Sequence, residues 1–319
     1  MNAPAISIVI PTLRRPQSLE RALRSVLAQT DAADALGEIL VVDNSPEGSA
    51  RSVVAKLEGE AWAPLRYLHE PCPGVATARN AGVREASGEL IAFIDDDQEA
   101  PNGWLAALLR THLACRADVT FGPVQARIPA EGAWDREHLE ALFSRTGPDR
   151  SGVIDEFHGC GNALLTRATT LTGATPFNTA RDQGGGEDDD LFAELQAQGR
   201  RFAWAAEAAV IEHPAPHRLT LAYAARRAFA FGQGPTQTAA ARREWAGVLR
   251  WMAIGAAQTA AFAPVAALAW ALRRPDWPRW FDRTVRGVGK VLWISALEPR
   301  FYGQAEVRRS EPVLAGAAA

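Results

Sequence analysis

Two acidic clusters have the clearest chemical potential in this sequence. Asp95-Asp96-Asp97 directly follows an apolar stretch, and Glu187-Asp188-Asp189-Asp190 follows Gly184-Gly185-Gly186. Adjacent carboxylates repel one another unless water solvates them or a cation neutralises them. In an extended backbone the first and third residues point the same way, so Asp95 and Asp97 are expected to address one ligand. Their hard oxygens suit Mg2+ or Mn2+, ions that bridge diphosphate oxygens and offset charge on a leaving group. An acidic turn alone reads better as a solvated helix cap. Asp43, which ends a separate apolar stretch, tips the balance toward metal binding. In the second cluster the glycines permit a tight turn, and acids just ahead of Leu191-Phe192 favour a helix N-terminus.

The elements that must carry these residues alternate along the first hundred positions. Residues 6–10 read as a strand ending at Pro11-Thr12, and Pro16 opens a helix with Leu19, Ala22, Leu23, Val26 and Leu27 on one face. Residues 38–42 form a second strand, ending at Asp43, and residues 65–68 a third. Residues 75–86 read as a helix, and 90–94 as a fourth strand running into the triple aspartate. Short apolar strands between amphipathic helices predict a Rossmann-like α/β fold whose mostly parallel sheet is covered on both faces. Ligands of such sheets sit beyond the carboxyl ends of the strands, where Thr12, Asp43 and the triple aspartate fall. After residue 118 the pattern loosens. Residues 119–128, 163–166 and 202–211 read as extended, and 190–198 as a helix closed by Gly199.

The formal net charge of −3 conceals an asymmetry, about −12 over residues 1–199 and about +9 over 200–319. The acidic part suits divalent cations; the basic part suits lipid headgroups or an anionic acceptor. Nucleic acid is not expected, because the basic residues interleave with a long apolar run and match no nucleic-acid module. Residues 251–272 carry no charged group over about 22 positions, enough to cross a hydrocarbon core. Arg242, Arg243 and Arg250 precede this run, and Arg273, Arg274 and Arg279 follow it. Gly255, Gln258 and Pro264 lie inside it, so a full crossing, a broken or re-entrant helix pair in one leaflet, and a packed helical hairpin all remain open. Three scattered cysteines, Cys72, Cys115 and Cys160, argue against a disulfide framework and against structural zinc. The N-terminal stretch has neither the basic region nor the apolar core of a signal peptide, so secretion is not expected.

Four segments in order, SIVIPTLRRPQSLERALRSVL, EILVVDNSPEGSA, PGVATARNAGVREASGELIAFIDDDQEAP and GGGEDDDLFAEL, resemble family 2 glycosyltransferases of the GT-A fold. The similarity is closest to exopolysaccharide glucosyltransferases of the succinoglycan type and covers roughly residues 5–215. It implies a GT-A domain over 1–215, followed by a helical, basic, membrane-associating region over 216–319. It also implies roles for matching positions. Pro11 and Thr12 would wrap the nucleotide base, Asp43 would hydrogen-bond it, and Arg79 would approach the nucleotide or its phosphates. Asp95 and Asp96 would contact the nucleotide-sugar, and Asp95, Asp97 and His213 would hold Mn2+ or Mg2+. Asp188 would be the general base that deprotonates the acceptor hydroxyl, with Glu187 assisting or contacting the acceptor. His158, Cys160 and Asn162 fall where the family shapes its sugar pocket, without a catalytic role.

The resemblance implies inverting transfer of a hexose, glucose from UDP-glucose being the leading donor, to a lipid-linked saccharide at the cytoplasmic face of the inner membrane. Processive members carry a Q-x-x-R-W motif; the corresponding AARRAFAFGQGP lacks it, which favours one sugar per encounter. A nucleotidyltransferase would need a glycine-rich phosphate loop after the first strand, and PTLRRPQS has no glycine. A phospho-acceptor domain would not explain the second acidic cluster. A catalytically inactive, membrane-tethered nucleotide-sugar-binding module would keep the fold but could drop the base.

Overall fold

The computed structural model describes residues 4–317, with side chains as far as Ser310. In chain order the elements are β1 (Ile6–Thr12), α1 (Pro16–Leu27), β2 (Leu36–Asp43), α2 (Arg51–Glu58), β3 (Leu65–His69), α3 (Val75–Glu85), β4 (Leu90–Phe93) and β5 (Gln98–Glu99). There follow α4 (Trp104–Cys115), β6 (Val119–Phe121), β7 (Val124–Ala126), α5 (Arg136–Phe143), β8 (Gly152–Ile154), β9 (Ala163–Thr166), α6 (Arg167–Thr170) and α7 (Glu187–Ala197). The chain ends with β10 (Phe202–Trp204), β11 (Val210–Glu212), α8 (Leu221–Ala241), α9 (Trp245–Ala271), α10 (Trp277–Val291) and α11 (Gln304–Ala317). Two compact units result. One comprises the chain through Gln125, Ser144–His213 and the segment from Arg300 onward; the other comprises Ala126–Phe143 and Pro214–Pro299. The observed division thus differs from a single boundary after residue 215 in two places: residues 126–143 group with the later helices, and the chain from Arg300 groups with the sheet.

The first unit is built on an eight-stranded mixed sheet of order β3-β2-β1-β4-β9-β6-β10-β8. Strands β3, β2, β1 and β4 run parallel, and β9 pairs antiparallel with both β4 and β6. Strand residues alternate between the faces of the sheet, so each strand feeds two cores. Ile6, Ile8 and Ile10 of β1 join Ile39 and Val41 of β2 in one core, while Val9 joins Leu40 and Val42 in the other. This two-sided burial explains why the early strands read as continuous apolar runs rather than alternating ones. Helix α3 lies close to the second face: a Cβ on Gly82 would collide with the Val9 side chain. The expected strand over 119–128 is two strands in different sheets. Gly122 and Pro123 separate them, and Pro123 has no N–H to continue the ladder, so β7 joins the small sheet β5-β11-β7. The extended run over 202–211 divides in the same way into β10 and β11.

The second unit is mainly helical. Helix α9 is continuous through Gly255 and Pro264, where a broken pair was one expectation. It is long and apolar enough to cross a membrane, and Trp245, Leu249, Leu268 and Trp270 on it are exposed. Small residues let its neighbours approach closely: a Cβ on Gly255 would meet the Gly287 carbonyl of α10, and one on Gly289 would meet the Phe229 carbonyl of α8. Polar side chains bridge the helices, with Gln258 donating to the Arg283 carbonyl at 2.6 Å and Thr236 to the Lys290 carbonyl at 3.0 Å.

Candidate active site

The parallel strands of the first unit end side by side. Thr12, the last residue of β1, is in register with Asp43, the last of β2, and Ile94 follows β4 into the acidic turn. Thr12 Oγ1 donates to Asp96 Oδ2 at 2.7 Å, which ties the end of β1 to that turn. Pro11 is half-buried beside it.

Asp43 is held by its own turn and by β3. It is fully buried, and its carboxylate accepts four hydrogen bonds: from the Ser45 N–H and hydroxyl at 3.1 and 2.7 Å, the Ala50 N–H at 2.7 Å and the Tyr67 hydroxyl at 3.0 Å. A carboxylate offers about four lone-pair positions, and these four bonds engage them. Burial and Asp43 together push the Tyr67 hydroxyl up to about 12, so the phenol stays protonated as a donor. Asp43 thus acts as the turn-and-cap residue that joins β2 to α2.

Residues 95–97 do not continue the extended strand either. The Gln98 N–H donates to the Asp95 carbonyl at 3.0 Å and closes a turn, so the alternation expected for Asp95 and Asp97 is lost. Asp96 and Asp97 instead share the guanidinium of Arg15, each at 3.1 Å, while Asp95 turns toward Arg79 at 3.3 Å. Burial, only partly offset by Arg15, raises the Asp96 carboxyl to about 6. Burial also raises Asp95, with Arg79 opposing it and the Asp97 and Asp188 charges adding to the rise. That mutual influence shows that carboxylates from the two distant clusters approach one another.

Arg79 links the clusters directly. It sits on α3 at 5% exposure, and its guanidinium pairs with Glu187 as well as with Asp95. Burial disfavours its charge, yet Cys160, Asp95, Asp188 and Tyr302 more than offset this and hold its pKa up. Its Nε is buried without a hydrogen-bond partner. Gly185 and Gly186 adopt left-handed φ of +89° and +87°, which only glycine tolerates readily, and they turn the chain into α7. The helix therefore begins at Glu187, three residues before the expected start, with all four acids in its first turn, where the helix dipole favours them.

Asp188 stands at the mouth of the loop that precedes β9. Its Oδ2 accepts from the Cys160 N–H at 2.9 Å, and its Oδ1 from the Asp189 N–H at 3.0 Å. Asp95 contacts the same loop: a Cβ on Gly161 would collide with its carboxylate, and one on Gly159 would lie 3.3 Å from Asp188 Oδ2. Arg145 holds this loop from below, donating to the carbonyls of Gly122, Gly159, Gly161 and Asn162. Burial lowers its pKa to about 10, with Asp95, Glu212 and Asp188 opposing the shift. Nothing in the sequence marked Arg145. Glu187 is 2% exposed and engaged by Arg79. Its place is to hold Arg79.

The expected metal trio is not assembled. Among the described residues no three His, Cys, Asp or Glu side chains are grouped to hold an ion. His213 Nε2 bonds Glu99 Oε2 at 3.0 Å, and its backbone N–H reaches the acidic turn at the Asp97 carbonyl. The β5–β11 register, Ile211 with Glu99 and Glu212 with Gln98, brings the His213 backbone to Asp97, while its ring turns to Glu99. Asp95 and Asp97 offer hard carboxylate oxygens, the donor chemistry a divalent ion takes, and they face different arginines. Burial is the main cause of the raised Asp95 carboxyl and the Asp97 charge adds to it; a cation that completes its shell with diphosphate oxygens would relieve the like-charge part. His158, Cys160 and Asn162 are structural. The His158 ring packs on Phe121 and Trp204, burial pushes the Cys160 thiol up to about 12, and Asn162 bonds Trp104, Pro123 and Ala208.

Arg15 also went unmarked, together with its third partner. Its guanidinium reaches Glu306 of α11 at 3.0 Å, and the Phe301 and Tyr302 N–H groups donate to the Gln183 carbonyl at 2.9 and 3.1 Å. The nearest signal in the sequence was the Arg14-Arg15 pair directly after β1.

Residues 7–171 match the family described as Glycosyl transferase family 2. The chain is 36% identical over 231 residues to the succinoglycan biosynthesis protein ExoM of Rhizobium meliloti, covering 72% of this chain and 73% of that one. It is 33% identical over 154 residues to the GalNAc(5)-diNAcBac-PP-undecaprenol beta-1,3-glucosyltransferase of Campylobacter jejuni, covering 48% and 46% respectively. Its fold resembles the mannosyltransferase PcManGT of Pyrobaculum calidifontis, solved with GDP-Man and Mn2+, at TM-score 0.60 and 21% identity over 91% of this chain and 87% of that one.

Proposed function

The chain belongs to glycosyltransferase family 2, and from that premise we propose that it transfers a hexose, with inversion, from a nucleotide-sugar to a lipid-linked saccharide in surface polysaccharide synthesis. UDP-glucose is the leading donor. The observation that supports this most is the Arg79 bridge: one buried guanidinium pairs with Asp95 after β4 and with Glu187 at the start of α7. Carboxylates far apart in sequence thereby flank one cationic centre, the arrangement needed to hold an anionic leaving group beside a base.

In this reading Pro11 and Thr12 line the base, and Asp96, fixed by Thr12 and Arg15, shapes the donor pocket. The unpartnered Nε of Arg79 offers a charge-assisted donor to a donor phosphate. Asp95 and Asp97 would hold Mn2+ or Mg2+, which when bound offsets charge on the departing diphosphate. Asp188 accepts the proton of the acceptor hydroxyl, its carboxylate oriented by the Cys160 and Asp189 N–H groups. Attack from the face opposite the diphosphate inverts the anomeric carbon. The lack of Q-x-x-R-W supports one transfer per encounter.

The acceptor class rests on two things: the names of the Rhizobium and Campylobacter relatives, and the second unit. Exposed apolar side chains on α9, basic residues on α10 and small-residue helix contacts with polar bridges suit a lipid environment. Membrane lipids at the cytoplasmic face of the inner membrane are the proposed surroundings.

The test is release of UDP from UDP-glucose by purified protein with Mn2+. Asp188→Asn should lower turnover by about 10²–10⁴-fold and leave UDP affinity unchanged. Undiminished turnover in that variant would remove Asp188 as the base, and UDP binding without turnover by the wild type would favour an inactive binding module.

A further inference from the structure

We propose that the segment 300–310 is a working part of the donor site, with Glu306 as the positioning residue that orients Arg15 and offsets part of its charge beside the acidic turn. The inference rests on the proposed glycosyltransferase reading and names a residue that the reading does not use.

Arg15 lies among three carboxylates. One guanidinium nitrogen is shared by Asp96 Oδ1 and Asp97 Oδ2, each at 3.1 Å, and the other meets Glu306 Oε1 at 3.0 Å. Glu306 is itself buried and is held from its other oxygen by Arg309 at 3.3 Å. A single Arg15 cation facing only Asp96 and Asp97 would centre on them and compete with any divalent ion there. The third carboxylate shares the guanidinium with Asp96 and Asp97 and adds a negative charge beside the turn. Both effects favour cation binding at Asp95 and Asp97.

The segment is fastened at both sides of the site. Arg14 donates to the Val307 carbonyl at 2.8 Å, next to the end of β1. Gln183, in the loop that leads into α7, accepts from the Phe301 and Tyr302 N–H groups through its carbonyl and from the Gln304 N–H through Oε1 at 3.0 Å. Its Nε2 donates to the Pro73 carbonyl, just ahead of α3. The Tyr302 ring occupies the space over Gly185 that a Cβ would fill, close enough to Arg79 to influence its charge. The segment thus ties the strand end that carries Arg15 to the glycine turn that aims Glu187 and Asp188. The ties are mostly polar; Phe301 and Val307 are its buried apolar side chains.

The experiment uses full-length Glu306→Gln and Glu306→Asp proteins. Binding of Mn2+ alone is followed by electron paramagnetic resonance, and binding of UDP with Mn2+ by calorimetry, beside the donor KM and kcat. Glu306→Gln should weaken Mn2+ binding and raise the donor KM by about tenfold, the weight of one charge-assisted interaction, with the loss falling on these rather than on kcat. Glu306→Asp should restore most of it, since the charge returns. Unchanged Mn2+ and UDP affinities in Glu306→Gln would overturn the inference. So would a uniform loss of kcat and melting temperature that Glu306→Asp does not repair. If the wild type binds no nucleotide, the glycosyltransferase reading fails first; a wild type that binds, beside an unaffected Glu306→Gln, sinks this inference alone.

Discussion

Replacing Arg79 by Met separates the electrostatic account of the site from a purely structural one. The guanidinium is buried and faces Glu187, which is buried as well, and Asp95, which is half-buried. Removing one partner of a buried pair leaves an uncompensated charge, which costs about 3–5 kcal/mol. Glu187 bears most of this, because Asp95 keeps access to water. The double variant Arg79→Met, Glu187→Met removes both charges and replaces them with apolar volume, so it should recover most of that stability and lie within about 1–2 kcal/mol of the wild type. Donor binding should not return with it, because the anion partner is gone. Arg79→Lys should keep part of the stability and still bind UDP poorly, since one ammonium cannot span two carboxylates as the planar fork does. Urea unfolding followed by the fluorescence of buried Trp104 and Trp204 gives the stabilities, and calorimetry with UDP gives the affinities. A double variant as unstable as Arg79→Met, or one that binds UDP normally, would refute the reasoning.

Asp43→Ala should cost about 1–3 kcal/mol by stranding buried donors of Ser45, Ala50 and Tyr67; unchanged stability with lost UDP affinity would support the base-reading role. His112 is buried between the hydroxyls of Thr120 and Thr166, and burial lowers its pKa to about 4 from 6.5. The unfolded chain then binds the extra proton first, so stability is full above about pH 6.5 and falls by up to about 3 kcal/mol as pH drops toward 4. His112→Gln should flatten that slope in urea titrations at stepped pH, and an unaltered slope would assign the acid sensitivity elsewhere. On α9, Leu249→Glu with Leu268→Glu should move the protein from the membrane to the soluble fraction of a cell lysate, with the melting temperature held, because both side chains are exposed. Retention in the membrane fraction would locate attachment elsewhere.

The local patterns of the sequence determined the strands, the two-sided core and the family. A buried parallel strand is a nearly continuous apolar run, and residues 8–10, 39–42 and 90–94 are such runs, so the strand ends and the polar residues beyond them were legible. The glycines before Glu187 marked the turn that starts α7. What a carboxylate does at those ends was decided by tertiary contacts, because pairing depends on groups distant in the chain. Asp43 met Ser45, Ala50 and Tyr67; the His213 ring met Glu99; and Asp95 parted from Asp96 and Asp97 because a turn, not an extended stretch, follows β4. Arg145, Arg15 and Glu306 had no local signature, since an arginine next to a loop or a glutamate near the end of a chain reads as solvated surface until folding buries it. A one-dimensional pattern records which residues can be buried or turned. The balance of charge at a site is a sum over neighbours that only the folded chain brings together.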